Sequence, residues 1–124
     1  MTKEQILDDL RIAVARLWRA TGFSLKGLRA AFKHEQAFRL EVYVLTLVVP
    51  LGLWLGEGVL EKVLLIGCWL IVMIAELMNS AVEAVVDRIG SEQNELSGRA
   101  KDIASAAVMI ALILVGITWL LLIF

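Results

Sequence analysis

Residues 103–124 form a run of twenty-two without one charged side chain. At about 1.5 Å per residue, a helix of that length covers the roughly 30 Å of a bilayer's hydrocarbon layer. Inside hydrocarbon each backbone N–H and C=O must find its partner within the segment, so a run like this can only be helical. A second run covers 63–82, interrupted by Glu76 alone, and its helix continues to about Arg88. A third, 42–56, is uncharged but short, and contains Pro50 and Gly52. It reaches the required length of about 20 residues only if its helix begins near Ala37, with Arg39 and Glu41 at the interface and Trp54 in the far aromatic belt. Hydrophobic residues make up 60% of the chain, against about half in a soluble domain. The chain therefore reads as an all-α integral membrane protein, one domain over 1–124, with transmembrane helices at 37–56, 63–88 and 103–124.

Within that frame Glu76 is the informative residue. It follows thirteen uncharged residues, 63–75. A carboxylate at that depth costs about 2.5–3.5 kcal/mol on insertion scales, so a partner or a function must offset it. On a helix, Glu76, Ser80, Glu83 and Asp87 fall at i, i+4, i+7 and i+11, one face, with Asn79 beside them. Glu76 and Glu83 are then about 10 Å apart along the axis. The stripe runs from the membrane surface inward. The same stripe could instead be a helix–helix contact joined by Asn79, Ser80 and a buried, protonated acid.

The segments outside the spans set the orientation. Residues 1–21 place Ile6, Leu7, Leu10, Val14, Leu17, Trp18 and Thr21 at helical spacing. Gly22 is expected to interrupt, and Ser24 to cap a second short helix with Leu25, Leu28 and Phe32 on one face and Lys26, Arg29 and Lys33 on the other. Together 1–36 read as amphipathic surface helices lying in the headgroup plane. A turn is expected over 56–62 and a polar loop over 90–98. Eight Lys and Arg precede the first span, the turn has only Lys62, and 88–102 has Arg88, Arg99 and Lys101. The positive-inside rule then places the N-terminus and the 88–102 loop in the cytoplasm and Phe124 on the other side. A net charge of −1 argues against nucleic acid as the main partner. A single cysteine, Cys68, leaves no intramolecular disulfide and reads as a small buried hydrophobe, and one histidine argues against a structural zinc site. No cleavable signal peptide is expected.

At the inner surface Glu35, Glu83 and Asp87 supply carboxylates, with Glu76 deeper. Arg16, Arg19, Arg29, Lys101 and Arg99 supply cations; Asn79, Ser80, Ser97 and Ser105 supply amide and hydroxyl groups. Phosphoryl transfer uses such a set: carboxylates hold Mg²⁺ on the phosphates, cations neutralise the moving group, and a base deprotonates the acceptor. There is no Walker loop and no kinase glycine fingerprint. On these residues alone, lipid-directed phosphoryl transfer and a proton-coupled transporter built on Glu76 fit equally.

The segments GFSLKGLRAAF (22–32), HEQAFRLE (34–41), AELMNSAVEAVVDRIG (75–90) and ELSGRAKDIASAAV (95–108) resemble the small prokaryotic diacylglycerol kinase family, in order and spacing, over nearly the whole chain. The E-x-x-N-S-x-x-E-x-x-x-D segment from Glu76 to Asp87, followed by 98–102, carries most of the specificity. The resemblance implies a homotrimer of three-span subunits with active sites shared between subunits. It implies ATP-dependent phosphorylation of diacylglycerol to phosphatidate in the bacterial inner membrane, for lipid recycling, with Mg²⁺. By position it implies Glu76 as general base, Asn79 as the residue orienting the reacting groups, and Glu35 and Glu83 as ligands of the Mg²⁺ of Mg-ATP. Lys101 and Asp102 would bind nucleotide, with Glu92, Gln93 and Asn94 at the edge of its loop and Arg16 and Phe23 completing the pocket. The family often has an aromatic hydroxyl where Phe23 stands and a histidine where Asn94 stands. Lipid would contact Ala20, Thr21, Gly22, Phe23, Ser24 and Leu25, then Arg29, Ala30, Ala31 and Phe32. Further along it would contact Ala37, Phe38, Arg39, Leu40 and Glu41, then Trp54, Leu55, Gly56, Glu57 and Lys62. Glu76, Ser105 and the tail Trp119, Leu120, Leu121, Leu122, Ile123 and Phe124 complete the set. An undecaprenol kinase of the same family shares this core.

Overall fold

The computed structural model describes residues 1–90 and 94–124. They form four helices: α1 Lys3–His34, α2 Gln36–Leu55, α3 Gly58–Ile89 and α4 Glu95–Ile123. Two compact units result, Met1–His34 and Glu35–Phe124. The last three helices are each long and apolar enough to cross a membrane.

The first unit is one uninterrupted helix where two were expected. It starts on a reciprocal cap: Thr2 N–H donates to Gln5 Oε1 at 2.7 Å and Gln5 N–H to Thr2 Oγ1 at 3.2 Å, two terminal amides satisfied by the T-x-x-Q pattern. Gly22 does not break it. A glycine in a helix interior costs only about 1 kcal/mol, and Thr21 turns its hydroxyl back onto the Leu17 carbonyl at 2.8 Å and stays within the ladder. Ser24 therefore lies mid-helix and caps nothing.

In the second unit α3 packs against both α2 and α4. Its buried residues, Leu65, Cys68, Val72 and Glu76, recur at three and four, the spacing of one helix face. α2 presents Phe38, Val48 and Gly52 as its buried residues. In lipid, helices gain little from hiding apolar surface, so close backbone approach and hydrogen bonds decide the pairing. Gly52 supplies the first: a Cβ there would stand 2.9 Å from Ile66 Cγ1 and 3.5 Å from Leu65 Cβ. Two tryptophans supply the second. Trp69 Nε1 donates to the Glu41 carbonyl at 3.0 Å, and Trp119 Nε1 to the Leu65 carbonyl at 3.2 Å.

The connections are shorter than the sequence suggests. α2 ends at Leu55, Gly56 caps it, and α3 already starts at Gly58, so the expected turn over 56–62 is mostly helix. Gly58 sits at φ +82°, a left-handed conformation that glycine adopts without a Cβ penalty. Glu61 then reaches back to accept the Glu57 N–H at 2.8 Å. α4 begins eight residues before 103. The Asn94 side chain accepts from Leu96 N–H at 2.8 Å and Ser97 N–H at 3.4 Å, an N-cap that turns 95–102 into the first two turns of the helix. The expected loop over 90–98 correspondingly loses its second half.

Candidate active site

The lower stripe of α3 gathers the polar groups. Glu76 is 8% exposed; Asn79, Ser80 and Glu83 are half-buried, and Asp87 is exposed. The Asn79 amide lies beside the Glu76 carboxylate, and Glu83 and Glu35 stand near enough for their charges to act on it. Glu35 is the N-cap residue of α2, and its side chain makes no capping bond. Glu41, six residues further along at the start of α2, is half-buried and within electrostatic reach of Glu76. Among the described residues, buried oxygens without a hydrogen-bond partner include Glu41 Oε2, Asn79 Oδ1 and Ser80 Oγ. Buried oxygens of this kind normally have partners. Here three lie near Glu76 along α2 and α3.

α4 closes one side. Lys101 Nζ meets Asp87 Oδ1 at 2.7 Å, which joins the end of α3 to the start of α4. Asp87 and Lys101 thus form a solvent-exposed pair between the two helices. Arg99 is paired within its own helix, to Glu95 at 3.0 Å. Asp102 and Ser105 are exposed on the first turns of α4. Between the two helices runs an open groove of about 330 Å³, lined on α3 by Ala75, Met78, Asn79 and Val82 and on α4 by Ala100, Ile103, Ala104 and Ala107. The small α4 side chains keep it open, and Asn79 lines it.

The remaining sequence candidates fall elsewhere. Phe38 is buried, Arg39 is half-buried, and Ala37 and Leu40 are exposed. Trp54, Leu55, Gly56, Glu57 and Lys62 cluster around the 56–58 turn. That turn is level with neither Glu76 nor Glu83: Leu65 alone is about 16 Å from Glu76 along the axis. Trp119 is at the Leu65 level, and Leu120, Leu121, Leu122, Ile123 and Phe124 continue beyond it. These residues are not brought to the carboxylates. On α1, Arg16, Ala20, Thr21, Gly22, Phe23, Ser24, Leu25, Arg29, Ala30 and Phe32 are exposed and Ala31 is buried; the Lys26 ammonium stands 5.9 Å from the Phe23 ring centroid. Asn94 is committed to capping α4. Glu92 and Gln93 lie outside the described residues.

A divalent cation fits this donor set. Among the described residues no group of three or more acidic, cysteine or histidine side chains could enclose a metal. A small hard cation carried on phosphates needs only one or two carboxylates from the protein, which Glu35 and Glu83 can supply. The unpartnered oxygens of Asn79 and Ser80 extend the same hard-donor surface.

Sequence reasoning did not find the two tryptophan bonds, which depend on which helix lies opposite. It also missed the Asn94 cap, whose signal was present as N-x-x-S at the start of a charged turn.

The family model described as prokaryotic diacylglycerol kinase matches residues 22–123. A diacylglycerol kinase of Escherichia coli strain K12 is 55% identical over 107 residues, 86% of this chain and 88% of that one. One from Haemophilus influenzae is 54% identical over 106 residues, 86% and 90% of the two chains. A third, from Pseudomonas aeruginosa, is 43% identical over 104 residues, 84% and 85%.

Proposed function

The chain belongs to the prokaryotic diacylglycerol kinase family and is a kinase of that activity, and from that premise we propose that the Glu76 stripe is its phosphoryl-transfer site. The product of transfer from ATP to 1,2-diacylglycerol is phosphatidate. The observation that carries the site reading is the grouping of Glu76, Asn79, Glu83 and Glu35, with unpartnered oxygens, at a depth where a lipid hydroxyl can arrive.

Glu76 accepts the proton of the diacylglycerol hydroxyl. The freed oxygen bonds to the γ-phosphorus, and the bond from that phosphorus to the bridging oxygen breaks, releasing ADP. A base held in place contributes about 10²–10⁴-fold to such a step. Asn79, beside Glu76, orients its carboxylate and the hydroxyl. Glu35 and Glu83 would hold the Mg²⁺ that accompanies ATP, and that ion, when bound, would neutralise phosphate charge. Lys101, anchored by Asp87, presents a cation to the nucleotide phosphates, and Asp102 lies one residue on. The α2–α3 turn and the α4 tail contact the acyl chains rather than the reacting atoms, which suits a substrate as long as a lipid leaflet.

The protein resides in the bacterial inner membrane with its N-terminus and the 88–102 segment cytoplasmic and its C-terminus periplasmic, and α1 lies on the surface as an amphipathic helix. The excess of Lys and Arg before α2 supports that orientation. It works as a homotrimer. Three spans are too few to wall off a site, and large apolar side chains on all three face outward.

The test is ATP consumption by the purified protein in detergent with Mg²⁺ and either dioleoylglycerol or undecaprenol, beside E76Q. Turnover with dioleoylglycerol that falls about 10³-fold in E76Q is the expected result. Preference for undecaprenol would move the acceptor to a polyprenol. Full turnover in E76Q would remove Glu76 from the base role.

A further inference from the structure

The register of α2 against α3 is set at Gly52, which lies on Leu65 and Ile66. A two-residue connection makes the helices antiparallel. Residues equally far from the Gly52–Leu65 contact therefore stand level with each other. Glu41 is eleven residues before Gly52, and Glu76 is eleven after Leu65. Eleven residues make three turns and about 20°, so both return to the face that carries the contact. Trp69 marks the same seam, donating to the Glu41 carbonyl. Glu41 Oε2 is buried there without a partner, and the Glu76 charge acts on the Glu41 carboxyl group.

Two carboxylates facing each other where water is scarce are heavily penalised if both are ionised; one proton on the pair removes most of that cost. A carboxylate also needs donors. Asn79 stands beside Glu76, and Glu83 and Glu35 are within electrostatic reach of it. Among the described residues no donor reaches Glu41 Oε2. α4 brings no charge to this level, since residues 103–124 have none.

We propose that Glu41 is a positioning residue for Glu76: as a neutral acid it donates its O–H to one oxygen of the Glu76 carboxylate and leaves the other oxygen aimed at the acceptor hydroxyl. In the transfer step the hydroxyl proton goes to that free oxygen, and Glu41 keeps its own proton throughout. The inference rests on Glu76 being the base.

The experiment compares E41Q, E41L, E41M and E76Q in the full-length protein, reading kcat, KM for dioleoylglycerol and the unfolding midpoint in detergent. An amide donates as the acid does, so E41Q keeps kcat within about fivefold of the parent. E41L and E41M lose about 30-fold or more in kcat, part of the 10²–10⁴ a general base supplies, with KM and the midpoint not lowered. A purely structural acid behaves differently, because an apolar side chain of similar volume at a buried ionisable position is often neutral or stabilising. Parent-like kcat in E41L or E41M, equal losses in E41Q and both apolar variants, or a change confined to KM would each overturn the inference. E76Q separates the two levels. Parent-like turnover in E76Q removes the base reading itself, whereas an inactive E76Q with an active E41L removes Glu41 alone.

Discussion

From Leu65 to Val72 the buried face of α3 is closed. Leu65 and Val72 have no exposed surface, the Leu65 carbonyl receives Trp119 Nε1 and the Cys68 thiol, and Gly52 of α2 lets the backbones meet. From Glu76 to Glu83 the same face continues at the same spacing, but with acids and amides, and among the described residues Asn79 Oδ1 and Ser80 Oγ on it are buried without partners. Spacing alone cannot tell the two halves apart; residue type and hydrogen-bond satisfaction can. The closed half holds the helices in register, and the open half uses that register to face α2 carboxyls toward α3 carboxyls. A membrane enzyme cannot rely on burial of apolar surface for rigidity, so the rigid half is needed beside the reactive one.

The sharpest way to break the comparison is at Glu83. E83Q is isosteric and half-buried, and in the reactive half it should cost at least ~10²-fold in Mg²⁺-dependent turnover, as expected for loss of charge at a phosphoryl-transfer site, with the unfolding midpoint unchanged. Titrating Mg²⁺ in the variant checks it: a parent-like Mg²⁺ dependence and kcat would return Glu83 to a structural role. L65A is the opposite case. Removing three carbons' worth of packing from a fully buried site should cost about 2–5 kcal/mol of stability, read by denaturant titration in mixed micelles, while kcat of the folded fraction stays near the parent's.

Gly52 joins the halves. G52V places methyl groups where a Cβ already meets Ile66 at 2.9 Å, and overpacking of that kind costs about 1–3 kcal/mol. It also shifts the level of Glu41 against Glu76, so kcat should fall together with stability. Loss of stability with kcat intact would show that the reactive half does not depend on register.

The three spans were legible because hydrocarbon permits so little else for a run of 103–124, and Glu76, Ser80 and Glu83 were legible as one face, with Asn79 beside it, because a lone charge in an apolar run demands a reason. The start of α4 was not. Residues 95–102 are charged and largely exposed, so they resemble a loop until Asn94 is seen to cap them. The expected break at Gly22 failed for a related reason: a single glycine weakens a long helix without ending it. Facing pairs were the least legible. Nothing in the sequence sets Glu41 opposite Glu76, because that depends on a close contact eleven residues away on each helix.

The smallest expected effect tests whether the closed half depends on its hydrogen bonds or on its shape. Trp119 Nε1 donates to the Leu65 carbonyl, which the Cys68 thiol also reaches at 3.2 Å. W119F removes the donor and keeps most of the aromatic body. A carbonyl inside a helix retains its ladder bond, so no orphan acceptor is created, and interhelical bonds of this type in membranes average about 0.6 kcal/mol. The unfolding free energy should therefore fall by about that amount, with kcat for dioleoylglycerol unaltered. A loss above ~2 kcal/mol would mean that the ring's position, rather than one bond, fixes α4 against α3. The groove beside Asn79 would then be held open from its far end.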